Sequence, residues 1–197
     1  MPFFTLARCA PMDPKYRVSF IPTFLSAEES AALFTRVMTD RTHFKYPAST
    51  KKGTPSKKRN KTIYGEPKEY VFTYLGKEIR TPIRPWDAFP ELKALADRVA
   101  EVSGQTYKTC VIQIYNSGDV GIKPHRDKEM MSGEIIASVS LGASRVMRFE
   151  RSGWETQDHL LEAGTLCLIH PPTNDYWLHS IPTDVSVKEP RVSLVFR

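Results

Sequence analysis

The last seven residues, Arg191-Val192-Ser193-Leu194-Val195-Phe196-Arg197, alternate strictly between two chemical faces. The even-numbered positions are all apolar, which predicts a strand packed on a hydrophobic core. The odd-numbered positions include both arginines, Arg191 and Arg197. A charge inside a fold is costly unless it is paired, and a guanidinium fork matches a carboxylate, so this face predicts a bound dicarboxylate. An edge strand with both arginines in water is the alternative.

Short β-type runs precede this strand, and most are separated by turns that contain Gly, Asn, Ser or Pro. They span residues 109–115, 135–141, 145–149 and 165–169. Short strands at regular spacing are typical of an antiparallel sandwich or barrel. The C-terminal half is therefore predicted to be a β-rich core.

Two helices are predicted upstream of these strands. Ser26 and Glu29 form a capping box before a helical apolar stripe. A second helix begins near Pro90, a favoured first-turn residue, and ends at Gly104. The expected architecture is a strand-rich C-terminal half supported by N-terminal helices.

Composition bounds the class of protein. The 197 residues, 41% of them hydrophobic, fit one globular domain. We expect no membrane segment and no secretory signal, because no apolar run is long enough for either. The three cysteines are far apart, which argues against a disulfide framework and favours an intracellular compartment, nucleus or cytoplasm. The formal net charge of +6 weakly favours a polyanionic partner. We expect a monomer.

The triplet His125-Arg126-Asp127 carries the strongest chemical signal. In an extended backbone His125 and Asp127 project from the same face, and His179 can supply a third ligand. Two histidines and one carboxylate form the facial triad of non-haem iron sites. A zinc site that runs a hydrolysis is the alternative, and a lone H-x-D triplet is often accidental. The inward-facing arginines favour iron with a dicarboxylate co-substrate such as 2-oxoglutarate.

A basic segment lies between the predicted helices. Residues 51–61 carry six lysines and arginines, and Tyr64, Tyr70 and Phe72 follow them. Mobile cations suit phosphates, and flat aromatic rings suit an exposed base. A solvated loop beside a hairpin with core aromatics is the alternative.

Several ordered motifs resemble the AlkB family of oxidative nucleic-acid demethylases, most closely its animal DNA-repair branch. They match in order, spacing and identity from about Gln105 to the end of the chain. The fainter upstream similarity, Lys58-Arg59-x-x-x-x-Tyr64-Gly65 followed by Tyr70-x-Phe72, resembles the substrate-recognition lid. The C-terminal motifs are Tyr115-Asn116-x-Gly118, His125-Arg126-Asp127, Ile136-Ala137-Ser138-Val139-Ser140-Leu141-Gly142, His170-Pro171-x-Thr173-Asn174, Trp177-x-His179-Ser180-Ile181-Pro182 and Pro190-Arg191-Val192-x-Leu194-x-Phe196-Arg197.

The resemblance implies an α+β fold: a double-stranded β-helix, or jelly roll, with supporting N-terminal helices and a nucleotide-recognition lid. Residues 1–197 would form one dioxygenase domain, with helices and lid in 1–105 and the catalytic core in 106–197. The implied cofactors are Fe(II) and 2-oxoglutarate.

The resemblance also implies roles for individual residues. His125, Asp127 and His179 would hold iron, and Arg191 would pair the distal carboxylate of 2-oxoglutarate. Arg197 would support the site from the same strand. The other implied co-substrate contacts are Tyr115, Gln113 and Ser193, the last two standing where the family has Asn. The implied substrate contacts are Arg59, Tyr64, Tyr70, Phe72, Arg126 and Glu129.

The expected function is oxidative demethylation of bases such as 1-methyladenine and 3-methylcytosine in alkylated DNA or RNA, with release of formaldehyde, succinate and CO₂. Because both lesions are cationic, a carboxylate such as Glu129 suits them. The alternatives are an RNA demethylase, a 2-oxoglutarate hydroxylase of protein or lipid, and a non-catalytic nucleic-acid-binding module.

Overall fold

The structure is a computed structural model that describes residues 12–40, 60–66, 69–74, 77–128 and 133–197. Strands dominate after residue 105, and the two longer helices precede it. A 3-10 turn spans Trp86–Ala88. The helices and strands, in chain order, are β1 (Val18–Ile21), α1 (Ala27–Thr39), β2 (Asn60–Gly65), β3 (Glu69–Tyr74), β4 (Lys77–Pro82), α2 (Pro90–Ser103), β5 (Thr109–Tyr115), β6 (Ile122–His125), β7 (Ile136–Gly142), β8 (Arg145–Glu150), β9 (Gln157–Leu161), β10 (Leu166–Ile169), α3 (Thr173–Tyr176), β11 (Leu178–Ile181) and β12 (Arg191–Phe196).

Two antiparallel sheets form the core. The larger has the strand order β1-β10-β7-β12-β5-β2, and the smaller has the order β6-β11-β8-β9. Chain neighbours are often separated within a sheet, as in a double-stranded β-helix. The predicted jelly-roll architecture is confirmed.

Strand β12 lies near the centre of the larger sheet, between β5 and β7. Val192, Leu194 and Phe196 are 0% exposed and belong to the apolar cluster beneath the helices. Val195, on the opposite face, belongs to a second cluster between the sheets. The tail is therefore a central strand with one face toward the helices and the other toward the interior, as its alternation predicts.

Both predicted helices are present, with the predicted start of the first and the predicted start and end of the second. The capping box is complete, because Ser26 Oγ accepts from Glu29 N and Glu29 Oε2 accepts from Ser26 N. Helix α2 begins at Pro90 and is followed by Gly104 at φ +72°, a left-handed conformation that suits glycine. No helix in the described part of the chain is long and apolar enough to span a membrane.

The sheets also contain strands from the N-terminal half of the chain, whereas the predicted strands were all in the C-terminal half. Strand β1 pairs with β10, and β2 pairs with β5, which extends the larger sheet on both edges. Strands β3 and β4 form a separate hairpin in the predicted lid region.

Candidate metal and co-substrate site

Three potential ligands converge at one end of the smaller sheet. His125 ends β6 and lies directly opposite His179 on β11, and the centroids of the two rings are 4.3 Å apart. Asp127 Oδ1 lies 3.4 Å from His125 Nε2 and 4.0 Å from His179 Nε2. One ligand atom from each of the three lies within 4.8 Å of the others. Two imidazoles and one carboxylate at this separation fit a single metal ion and leave positions open.

Neighbouring groups hold these ligands in place. The Asn174 side chain accepts from Asp127 N and donates to Asp127 O, each at 3.0 Å. Arg197 Nη2 donates to Asp127 Oδ2 at 2.8 Å. His125 Nδ1 lies 3.0 Å from the carbonyl of Lys123, so its Nε2 faces the other two ligands. Such outer contacts orient ligands and select the histidine tautomer.

The electrostatics favour ligand forms of both buried groups. Burial opposes ionisation of Asp127, but the hydrogen bond with His125 and the charge of Arg197 hold its pKa well below the ordinary value. Burial lowers the pKa of His179 to about 4, although the Asp127 carboxylate opposes this shift. An ionised carboxylate and a neutral imidazole are the forms that coordinate metals.

Arg191 brings a buried, incompletely paired cation to the same interior. Its side chain is 2% exposed, and Nη2 donates to Ser140 Oγ at 2.9 Å. Among the described residues, Nε and Nη1 have no hydrogen-bond acceptor. The Tyr115 ring lies against the guanidinium, 5.2 Å from its Cζ. Two orphaned donors on a buried guanidinium are the feature expected of a carboxylate-binding site.

One cavity joins the triad to Arg191. Its walls include Gln113, Tyr115 and Ser193 from the larger sheet, with Arg197. The Ser193 hydroxyl lies 3.0 Å from that of Ser138. The residues predicted for metal and co-substrate are thus brought together in one interior space, with polar groups at both ends.

Residues 17–197 match the 2OG-Fe(II) oxygenase superfamily. The chain belongs to this superfamily. It is 37% identical over 150 residues to the Mus musculus protein named DNA oxidative demethylase ALKBH2. The aligned residues cover 71% of this chain and 61% of that protein. It is 28% identical over 193 residues to the Homo sapiens alpha-ketoglutarate-dependent dioxygenase alkB homolog 3. This alignment covers 92% of this chain and 65% of that protein. The chain spans less than two thirds of the length of either relative, and the similarities confirm the resemblance to the AlkB family.

Solved structures support the fold of this superfamily member. OsALKBH1 superposes with a TM-score of 0.63 at 14% identity, over 95% of this chain and 100% of that chain. A prolyl hydroxylase from Trichoplax adhaerens, in complex with a hypoxia inducible factor peptide, gives a TM-score of 0.62 at 11% identity, over 91% and 82% of the two chains. At these identities the likeness concerns the fold alone.

The superfamily implies Fe(II) and 2-oxoglutarate, and the residues present fit both. The triad offers the two-histidine, one-carboxylate set of non-haem iron. The orphaned donors of Arg191 fit the distal carboxylate of the co-substrate. The residues that fit the two groups therefore lie in one cavity.

The structure contradicts the prediction that Tyr64 lines a base pocket. Tyr64 is 2% exposed and packs edge-on against Phe89, within the cluster beneath the helices. Its neighbour Ile63 instead belongs to the cluster between the sheets. Because side chains alternate along a strand, the register of β2 turns Tyr64 away from the triad.

The structure describes only some of the other residues predicted to contact the substrate. Arg126 is exposed beside the triad, and its Nη2 donates to the carbonyl of Tyr176 at 3.3 Å. Tyr70 and Phe72 lie on β3, in the hairpin, but their side chains are outside the described set. Arg59 and Glu129 lie outside the described residues.

Asn174 and Arg145 have structural roles that the sequence argument did not assign. Asn174 appears in the family motif, but it is 47 residues from Asp127 in the sequence. Only the folded structure shows that the two residues are in contact. Arg145 is 2% exposed and donates to the carbonyls of Ser117, Gly118, Val120 and Pro182. Its position at the start of a β-run gave no such signal.

Proposed function

We propose that this oxygenase oxidatively demethylates alkylated bases in DNA. The observation that carries the oxygenase chemistry is the His125-Asp127-His179 cluster sharing a cavity with the orphaned guanidinium of Arg191. DNA as substrate is supported by the name of the mouse relative, a DNA oxidative demethylase, and by the formal net charge of +6. The compartment and the monomeric state remain predictions.

Bound Fe(II), with 2-oxoglutarate and O₂, supplies oxidation of a substrate C–H bond coupled to conversion of the co-substrate to succinate and CO₂. The protein contributes position and electrostatics. His125, Asp127 and His179, which line the cavity, would hold the metal ion. Arg197 would keep the Asp127 carboxylate ionised and oriented.

Arg191 would orient the co-substrate by pairing its distal carboxylate, with Tyr115 closing the guanidinium face. Gln113 and Ser193 would border the same molecule from neighbouring strands. Arg191 then fixes which end of the diacid faces the triad. An N-methyl group hydroxylated on carbon collapses to formaldehyde and the unmethylated base, which is the proposed outcome on DNA.

The base must leave its stack to reach a buried centre. We propose that Arg59, Arg126, Tyr70 and Phe72 contact the substrate around the cavity mouth, and that Glu129 faces the cationic lesion. Single-stranded DNA needs less energy to expose a base than a duplex does.

The test is an aerobic assay with Fe(II), 2-oxoglutarate and a DNA oligonucleotide that contains one 1-methyladenine. We expect loss of one methyl group by mass and stoichiometric formaldehyde with the wild-type protein. Asp127→Ala should abolish both, because the metal loses its carboxylate ligand. Lys93→Gln, which removes an exposed charge on α2, should behave as wild type.

Two results would contradict the proposal. Undiminished turnover by Asp127→Ala would remove the carboxylate from the site. Wild-type protein that consumes 2-oxoglutarate but leaves methylated DNA intact would remove DNA as the substrate. An RNA oligonucleotide and a methylated peptide in parallel assays distinguish an RNA demethylase and a protein hydroxylase.

A further inference from the structure

An exposed aromatic ring lies beside the triad with cations against it. Tyr176 is 40% exposed, the Lys15 ammonium lies 5.0 Å from the centre of its ring, and the Arg151 guanidinium carbon lies 4.9 Å from it. The Tyr176 carbonyl accepts from Arg126. Lys15, Arg126, Arg151 and Tyr176 are called here the Tyr176 surface.

This surface is connected to the triad through short, direct links. Arg126 is the residue between the ligands His125 and Asp127. Asn174, two residues before Tyr176, holds the backbone of Asp127. The strand that carries His179 begins two residues after Tyr176. The surface therefore adjoins the segment of the chain that supplies His125 and Asp127 to the cavity wall.

A buried carboxylate, that of Asp13, connects the segments that form this surface. Asp13 is 3% exposed, and its carboxylate accepts from the Trp177 indole at 2.9 Å, from the Lys15 backbone at 2.9 Å and from Arg151. These contacts join the Trp177 side chain, the Lys15 backbone and the Arg151 side chain next to the ring. A ring that is fixed but left exposed loses little further entropy when it binds a partner.

We propose that the Tyr176 surface binds the single strand of nucleic acid next to the target base. The exposed Lys15 ammonium lies over the Tyr176 ring, and a phosphate that draws it away opens that face of the ring for a stacked base. Exposed Arg17 and Lys128 extend the positive charge, while Asp175 is an exposed carboxylate adjacent in sequence. This combination of cations around an aromatic platform is complementary to a polynucleotide and not to an acidic peptide, which offers no bases to stack. The inference rests on the proposed function.

The experiment measures affinity for a fluorescent single-stranded DNA oligonucleotide that contains one 1-methyladenine, by anisotropy, with Mn(II) and 2-oxoglutarate present. Tyr176→Leu should weaken binding by about fivefold or more, since base–aromatic stacking gives at least this factor. Tyr176→Phe keeps the ring and should bind within twofold of wild type. Lys15→Gln should reduce the slope of log affinity against log salt by about 0.7, the loss of one single-strand phosphate contact.

Two controls separate this role from damage to the fold. Lys93→Gln removes a cation from α2 and should leave oligonucleotide affinity and salt slope unchanged. Mn(II) affinity should be the same in every variant, which shows that the triad is intact. If wild type binds the oligonucleotide and Tyr176→Leu and Lys15→Gln bind it equally well, the inference is overturned alone. If wild type binds no oligonucleotide, the proposed function fails together with it.

Discussion

Arg191 carries a positive charge to a place where its side chain is 2% exposed, and burial lowers its pKa from the ordinary value. A guanidinium stays protonated in proteins, so the charge remains and its orphaned donors are costly. The Ser140 hydroxyl satisfies only Nη2. A bound carboxylate would satisfy the remaining donors, which explains why a free-energy cost is tolerated at this position.

Replacing Arg191 tests this role. Arg191→Met should raise the dissociation constant of 2-oxoglutarate by about two to four orders of magnitude, since breaking a buried pair costs about 3–5 kcal/mol. Binding of 2-oxobutanoate, which lacks the distal carboxylate, should change far less. Calorimetry with Mn(II) in place of iron gives both constants. Equal losses for the two ligands would place Arg191 away from the distal carboxylate.

Asn174 would not contact the metal but would position the metal ligand Asp127. Asn174→Ala removes the amide that holds Asp127 N and O, and we expect Mn(II) affinity to fall about 10- to 100-fold, as for other outer contacts of metal ligands. Isothermal titration measures the affinity, and circular dichroism checks that the fold remains. Wild-type metal affinity in a folded Asn174→Ala protein would show that the Asp127 loop keeps its position without this clamp.

At the scale of elements, the pairing of β6 with β11 sets the site. His125 and His179 are directly opposite in the register, although they are far apart in the chain. The register shifts between His179 and Ile181, so this pairing is local to the metal end of the strands. Glycine is needed where the adjoining loops meet, because a Cβ at Gly118 would lie 1.7 Å from Asp184 O.

Helix α1 supports the larger sheet but supplies no ligand. Ser26→Ala removes the N-cap and should lower the free energy of unfolding by about 1 kcal/mol. In a chain of this length we expect a fall in melting temperature of about 2–4 °C, measured by calorimetry. Ser152→Ala, at an exposed turn position, should leave the melting temperature unchanged. A fall in Mn(II) affinity with Ser26→Ala would show that α1 and the triad are coupled.

At the scale of the whole molecule, the larger sheet separates two interiors. The helix side is apolar and contains the packed faces of α2 and β12. The side between the sheets combines apolar walls with the triad and Arg191. Both sides bury apolar clusters, and the second also contains the buried charges of Asp127 and Arg191.

Ligand binding should therefore stabilise the whole fold. Mn(II) and 2-oxoglutarate together, without O₂ and at about 100 times their dissociation constants, should add about 2.7 kcal/mol for each ligand. At about 2–4 °C per kcal/mol, the melting temperature should rise roughly 10–20 °C. Arg191→Met should keep the metal-dependent part and lose most of the part due to 2-oxoglutarate at the same concentration. An unchanged melting temperature in wild type would contradict a co-substrate site in this cavity.

The sequence by itself determined the local features of this protein. Alternation in residues 191–197 predicted a two-faced strand, and the capping box at Ser26 and the stop at Gly104 predicted helix ends, because these signals arise from neighbouring residues. The H-x-D triplet and the ordered motifs pointed to the superfamily. The order and spacing of these motifs can be read along the chain, although only folding brings them together.

Only the tertiary structure decided which side chains share a space. Tyr64 looked like a substrate contact, but the register of β2 against β5 puts it opposite Cys110 on the helix side. The Asn174 clamp and the cations around Tyr176 join segments that are distant in the chain. Sheet register and loop packing are set by the summed burial of the whole core, so no short stretch of sequence contains them.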